Sequence, residues 1–367
     1  MAEPMAAKAL DPSSERGRRA LSAILLALLC LYPFALKVLV AAIALSPVAH
    51  ALSDGSPPGK LIDIGGHRLH LHCEGQGEGT VIFESGLGGN SLDWVLVRPK
   101  VAAFARACSY DRAGYGWSDI GPEPRDAARI AAELHRLLMR AQLPAPYILV
   151  GHSFGGFSIR LFAARRPSIV AGLVLVDAAH EEQFRARDEA GLRTPAAPTG
   201  RRFFIANHQR IPDSLPGSVK SLARRLALAP KSVSALYSEL GSLRLSASQV
   251  SFFARPPKVP VILLVRDTIL REPSVDDSSD DSGSSEEGSI LEGGRQARGG
   301  EALWLELQRR LSKTMPAGSL QVIPGSGHHI HLDRPQAVVE AIKRLLSMHP
   351  PRIDAPPVSK SPKAEAR

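Results

Sequence analysis

Tyr147-Ile148-Leu149-Val150-Gly151-His152-Ser153-Phe154-Gly155-Gly156 is the stretch that decides how this chain folds. A short run with strand character enters a G-x-S-x-G turn, and Phe157 to Arg165 follows with helical spacing. A strand, a tight turn and a helix in that order place the serine on a strained turn that lifts its hydroxyl above a sheet. Side chains two residues to either side would collide there, so Gly151 and Gly155 flank it. A serine held this way suits nucleophilic attack once a base takes its proton.

Outward from this turn, short apolar runs alternate with helical stretches. Leu61 to Ile64 and His67 to His72 read as a hairpin around Gly65-Gly66, because paired glycines supply the positive φ of a tight turn. Val81 to Phe83, Ala107 to Tyr110, Gly172 to Val176, Val259 to Val265 and Ser319 to Ile323 are further strands. Asp126 to Ala141, Glu301 to Lys313 and Gln336 to Met348 are helices. Alternation of this kind implies an α/β domain with a mostly parallel sheet covered on both faces. From Ala178 to Pro257 the alternation stops and the text is helical, with Phe203-Phe204 and Phe252-Phe253, which predicts a cap over the sheet edge.

The base for Ser153 should be a histidine, whose proton affinity suits neutral pH. Gly325-Ser326-Gly327-His328 lies between the strand at 319–323 and the helix at 336–348, which puts His328 on a loop at a strand end. His329 and His331 are neighbours read as structural or exposed.

Four ordered motifs now carry a resemblance. Glu84-Ser85-Gly86-Leu87-Gly88-Gly89, Tyr110-Asp111-Arg112-Ala113-Gly114-Tyr115-Gly116-Trp117-Ser118, Gly151 to Gly156, and Gly327-His328 to Pro335 resemble the α/β-hydrolase superfamily. The likeness is to its esterase, lipase and C–C hydrolase branch and covers about residues 61–348. It implies the α/β-hydrolase fold, with an eight-stranded, mostly parallel sheet, a helical cap after the sixth strand, no cofactor and no metal. The order of Ser153 before His328 is also that of the superfamily. The implied activity is that of a serine hydrolase acting on a small or amphipathic acyl substrate through an acyl-enzyme. Amide hydrolysis, as in the proline iminopeptidase relatives, and ligand binding without turnover are the alternatives. A serine nucleophile disfavours epoxide hydrolysis and dehalogenation, which use aspartate.

The resemblance also implies that the backbone N–H groups of Leu87 and Phe154 form the oxyanion hole. The family often has His-Gly where this chain has Ser85-Gly86, which leaves the anchoring of that loop open. The Asp111 to Ser118 segment is expected to be a structural turn. In the family fold the strands ending at Cys73 and beginning at Cys108 are neighbours, so these two cysteines form a disulfide or a pair of buried thiols. The acid that orients His328 departs from the commoner pattern, which has an aspartate a few residues past a glycine after the seventh strand. Val261 to Val265 leads instead into Arg266-Asp267-Thr268. Asp177, at the end of the sixth strand, is the expected acid, with Asp267 as the alternative.

The rest of the chain frames this domain. Residues 21–49 are apolar apart from Lys37 and a few small polar residues, long enough for a transmembrane helix, and Arg16, Arg18 and Arg19 precede them. The positive-inside rule then keeps residues 1–20 cytoplasmic and puts the domain across the membrane, beyond a linker at 50–60. Ala49-His50-Ala51 leaves a cleaved secretory signal as the alternative. Residues 272–300 include an acidic Ser-rich run and read as a disordered insertion, and 349–367 as a Pro-rich disordered tail. The net charge of +9 comes from scattered residues without a basic run interleaved with aromatics, so no nucleic-acid partner is expected. The oligomeric state is left open.

Overall fold

The computed structural model describes residues 57–77, 79–191, 217–253, 258–267, 286–315 and 318–348. The chain divides into two compact units, Met1–Pro58 and Gly59–Arg367, and all described strands and helices belong to the second. The expected membrane span at 21–49, Phe203-Phe204 of the cap and the tail at 349–367 lie outside the described residues. No helix among the described residues is long and apolar enough to cross a membrane.

An eight-stranded sheet forms the centre, with β1 (Lys60–Asp63), β2 (Arg68–Glu74), β3 (Thr80–Glu84), β4 (Arg106–Tyr110), β5 (Tyr147–His152), β6 (Val170–Val176), β7 (Val261–Arg266) and β8 (Ser319–Ile323). Their order is β1-β2-β4-β3-β5-β6-β7-β8. β1 and β2 pair antiparallel, as do β2 and β4, and all remaining pairs are parallel. The chain therefore winds outward in both directions from β3 and β5, so the loop after β3 and the turn after β5 emerge side by side. Every residue of β5 and β6 is buried, as a strand covered on both faces requires.

Alternate residues of each central strand feed two cores. Ile82, Leu149, Leu173 and Leu263 join one. Val81, Phe83, Val150, Val174 and Leu264 join the other. Along one face lie α2 (Ala127–Arg140) and α3 (Gly155–Arg165); along the other, a short α1 (Arg98–Ala102) and the C-terminal helix described below. α2 begins at Asp126, whose side chain accepts from the Arg129 N–H at 3.0 Å, and buries Ile130, Leu134, Leu137 and Leu138. The facing cysteines of β2 and β4, Cys73 and Cys108, are joined as a disulfide.

After β6 the chain leaves the sheet for α4 (Gln183–Glu189), α5 (Gly217–Ala227), α6 (Pro230–Gly241) and α7 (Leu243–Phe253), then returns as β7. These helices are the described parts of the segment expected to form a cap. Phe252 and Phe253 end α7, 85% and 58% exposed, and do not pack a cap interior. One boundary differs from expectation: α8 runs from Glu286 to Thr314, so residues 286–300 are helical and not part of a disordered segment. Its basic end at Lys313 suits the helix dipole. The short α9 (Ile330–Asp333) and α10 (Pro335–Met348) close the fold, with Pro335 preset for a first helical turn and Val338, Ile342 and Leu345 buried.

Candidate active site

The turn after β5 is built as its glycines demand. Ser153 has φ 49°, in the left-handed region, and its N–H donates to Val176 O at 3.1 Å while its carbonyl accepts from Ala179 N–H at 2.9 Å. A Cβ on Gly155 would sit 2.6 Å from Ser85 O and one on Gly151 2.7 Å from Ile159 Cδ1. Only glycine allows β5, α3 and the loop after β3 to approach this closely.

Three separate elements converge on Ser153. His328, on the loop after β8, lies with Nε2 3.0 Å from Ser153 Oγ. Its Nδ1 lies 2.6 Å from Asp177 Oδ2, at the end of β6. A carboxylate at Nδ1 fixes the proton there, which leaves the Nε2 lone pair facing the serine hydroxyl. The His328 side chain is 31% exposed and that of Asp177 is fully buried, so the hydroxyl end is open to a reactant and the acid end is shut off.

Burial alone would raise the Asp177 carboxyl, but the bond to His328, the Arg266 guanidinium and the Trp304 indole outweigh it and hold the group below the usual carboxylate range. Asp177 itself has φ 41°, and its N–H donates to Leu264 O at 2.7 Å, which locks the strand end. Asp267, the other expected candidate, accepts from the Gly325 N–H at 3.0 Å and so braces the start of the histidine loop. His152 and His331 stack nearby, with ring centroids 4.5 Å apart, and His152 Nε2 meets the His328 carbonyl at 3.0 Å. Burial, then neighbouring histidines, pushes His152 well below its ordinary range; burial, then His328, pushes His331 to about 3. Both rings are therefore neutral supports near pH 7. Among the described residues no group of three or more His, Cys, Asp or Glu side chains is placed to hold a metal ion.

The loop after β3 lies against this turn. A Cβ on Gly86 would come 3.3 Å from Ser153 Cβ. Among the described residues neither the Leu87 nor the Phe154 N–H has an acceptor in the protein, whereas Gly89 N–H donates to Gly86 O and Gly156 N–H to Ser153 O. What anchors the loop is Arg112, from the segment expected to be only a turn. Its Nη1 donates to Ser85 O and its Nη2 to Gly86 O, each at 2.7 Å. The same guanidinium is bound by Glu84 at 2.7 Å and by Glu239 of α6 at 2.7 and 3.1 Å. Ser85 Oγ adds a bond to Asn90 O at 2.8 Å and accepts from Trp94 Nε1 at 3.1 Å.

Comparisons with known proteins agree with this architecture. A family model described as the alpha/beta hydrolase family matches residues 81–341. The sn-1-specific diacylglycerol lipase ABHD11 of Mus musculus is 26% identical over 277 residues, covering 73% of this chain and 81% of that protein. A Hormonema carpetanum protein named "Probable transporter efuK" is 38% identical over 129 residues, which are 33% of this chain and 18% of that protein. The chain thus spans under a fifth of that relative's length. Among solved structures, a thermophilic esterase from Thermogutta terrifontis is similar with a TM-score of 0.53 at 19% identity, covering 77% of this chain and 94% of that one. A likeness at that identity speaks for the fold alone, but the family model spans β3 to α10 and includes every element that converges on Ser153. The chain belongs to the alpha/beta hydrolase family.

Proposed function

We propose that this hydrolase is a serine enzyme that cleaves an ester or related acyl bond through an acyl-enzyme. The observation that carries the reading is the chain of contacts Ser153 Oγ to His328 Nε2 at 3.0 Å and His328 Nδ1 to Asp177 Oδ2 at 2.6 Å. Ser153 attacks the acyl carbon while His328 takes its proton. Asp177 keeps the imidazole in one tautomer and stabilises the imidazolium. The N–H groups of Leu87 and Phe154 donate to the oxyanion, each supplying roughly 3 to 4 kcal/mol in the transition state. His328 then returns the proton to the leaving oxygen, and water repeats the sequence on the acyl-enzyme.

The substrate is a small or amphipathic ester. Support comes from the partly exposed serine and from the lipase activity named for the mouse relative. Tethering to a membrane by residues 21–49, with the domain on the far side from the cytoplasm, belongs to the same proposal and rests on the apolar sequence alone. A fluorophosphonate probe tests the chemistry: it should label the wild-type protein and not Ser153→Ala, and equal labelling of both would defeat the reading. A series of p-nitrophenyl esters of increasing acyl length then ranks substrates. Carbonate washing of membranes tests the tether, which fails if the protein is released, and a mature form starting near Leu52 would show a cleaved signal instead.

A further inference from the structure

Asp177 carries more bonds than orienting an imidazole requires. Its Oδ2 accepts from His328 Nδ1 at 2.6 Å and also from Arg266 Nη1 at 2.6 Å. Its Oδ1 accepts from Trp304 Nε1 at 2.9 Å and from the Arg266 N–H at 3.2 Å. Arg266 ends β7, and Trp304 comes from α8. The Arg266 guanidinium lies over the Trp304 ring, 4.9 Å from its centroid, and donates through Nε and Nη2 to Glu301 at 2.8 and 3.0 Å. Two donors on Oδ1 stop the carboxylate from rotating. A cation on Oδ2 does something further, because it draws on the same negative charge that stabilises a protonated His328.

Resting on the roles given above to Ser153, His328 and Asp177, we propose that Arg266 and Trp304 are positioning residues for Asp177. Arg266, by sharing Oδ2, sets the acidic limb of hydrolysis at a lower pH than an unshared Asp177 would. Other charged or titratable groups around this centre fit that assignment, and Asp333 of α9 is engaged with the Gly327 N–H at 2.7 Å. His152 from β5 and His331 from α9 are pushed toward the neutral form by burial. His329 stands beside His328, with ring centroids 5.2 Å apart. Asp267 is engaged with the Gly325 N–H. Glu301 faces the guanidinium from the solvent side, 40% exposed against 18% for Arg266, and so offsets part of its charge. Removing Arg266 and removing the charge of Glu301 should therefore move the acidic limb in opposite directions, which a purely structural clamp would not do.

The full-length protein is compared with Arg266→Gln, Arg266→Lys, Glu301→Gln and Trp304→Phe. The readouts are p-nitrophenyl butyrate hydrolysis from about pH 4 to 9, thermal melts, and an NMR titration of the 13C-labelled His328 ring, assigned with His328→Gln. The NMR arm needs no turnover. In Arg266→Gln the acidic limb and the ring titration should both rise by about one pH unit. In Glu301→Gln they should fall by a smaller amount, and Arg266→Lys should restore most of the wild-type position. Trp304→Phe should leave the limb in place and lower kcat on the order of tenfold at unchanged KM, through a less firmly held carboxylate. The proposal is overturned if Arg266→Gln and Glu301→Gln leave the ring titration where it is or move it the same way. Should Arg266→Gln melt too low to assay, the Glu301→Gln and Arg266→Lys titrations decide the matter. A wild type that neither hydrolyses the ester nor takes the fluorophosphonate would sink the proposed activity, and the NMR arm would still decide the role of Arg266.

Discussion

Replacing Asp177 by asparagine tests the site at its least exposed point. The introduced amide is nearly the shape of the carboxylate, so Oδ1 can still accept from Trp304 and from the Arg266 N–H. The other position, where Oδ2 now accepts from both His328 and Arg266, would become an NH2 group facing two donors. To avoid that clash the imidazole must take the tautomer with its proton on Nε2, pointing at Ser153 Oγ, where it can no longer accept. The expected loss in kcat for this wrong tautomer is about four orders of magnitude. Stability should fall by about 1–3 kcal/mol, less than for a fully buried ion pair, because Arg266 is 18% exposed and keeps Glu301. Since the Asp177 carboxyl is held below its ordinary range, its contribution to stability is present above the unfolded value. The gap in melting temperature should thus be full above about pH 4 and shrink as the pH falls below it. The assay is p-nitrophenyl butyrate turnover with thermal melts across that range. Near-normal turnover in Asp177→Asn together with collapse in Asp267→Asn would refute the assignment and move the acid to Asp267.

Glu239→Gln should cost about 1–3 kcal/mol and lower kcat with little change in KM, because Arg112 then holds the loop at Ser85 and Gly86 with one carboxylate fewer; unchanged kcat would separate α6 from the chemistry. Asp93, below the same loop, is pushed up to about 7 by burial, so folding takes up a proton there between the ordinary carboxylate value and neutrality. Asp93→Asn should therefore be more stable than wild type by about 1–3 kcal/mol at alkaline pH and no different at acidic pH, as chemical denaturation at two pH values will show. Reduction of Cys73–Cys108, which closes 35 residues of chain, should lower stability by up to about 4 kcal/mol and leave fluorophosphonate labelling of the folded protein intact; loss of labelling before unfolding would contradict this.

What could be read from the sequence is what depends on neighbours along the chain. The strands around β5 are legible because their apolar residues are contiguous, and the Ser153 turn because a strained φ and close backbone contacts permit few residue types. Asp177 is legible as the polar residue that ends an apolar strand. His328 is legible as a histidine between glycines and a helix. Arg266, Trp304 and Arg112 are not, since their roles arise from contacts 89, 127 and 127 residues apart in the chain. At residues 286–300 the glycine and glutamate content suggests a solvated segment, whereas these residues belong to α8, whose Trp304 reaches Asp177 at the end of β6, a contact that local composition does not encode.

Arg112 has a consequence for motion. Its fork ties the loop beside Ser153 to α6, and Tyr115 donates to the same Glu239 at 2.9 Å. The side chains of Arg112 and Glu239 are 2% and 0% exposed. Swinging α6 away from the sheet would remove Glu239 from this network and leave Arg112 with Glu84 as its one carboxylate in a dry interior, at a cost of about 3–5 kcal/mol. Such an open form would make up under about one molecule in a hundred at equilibrium. α6 is therefore a fixed brace for the loop beside Ser153, not a door.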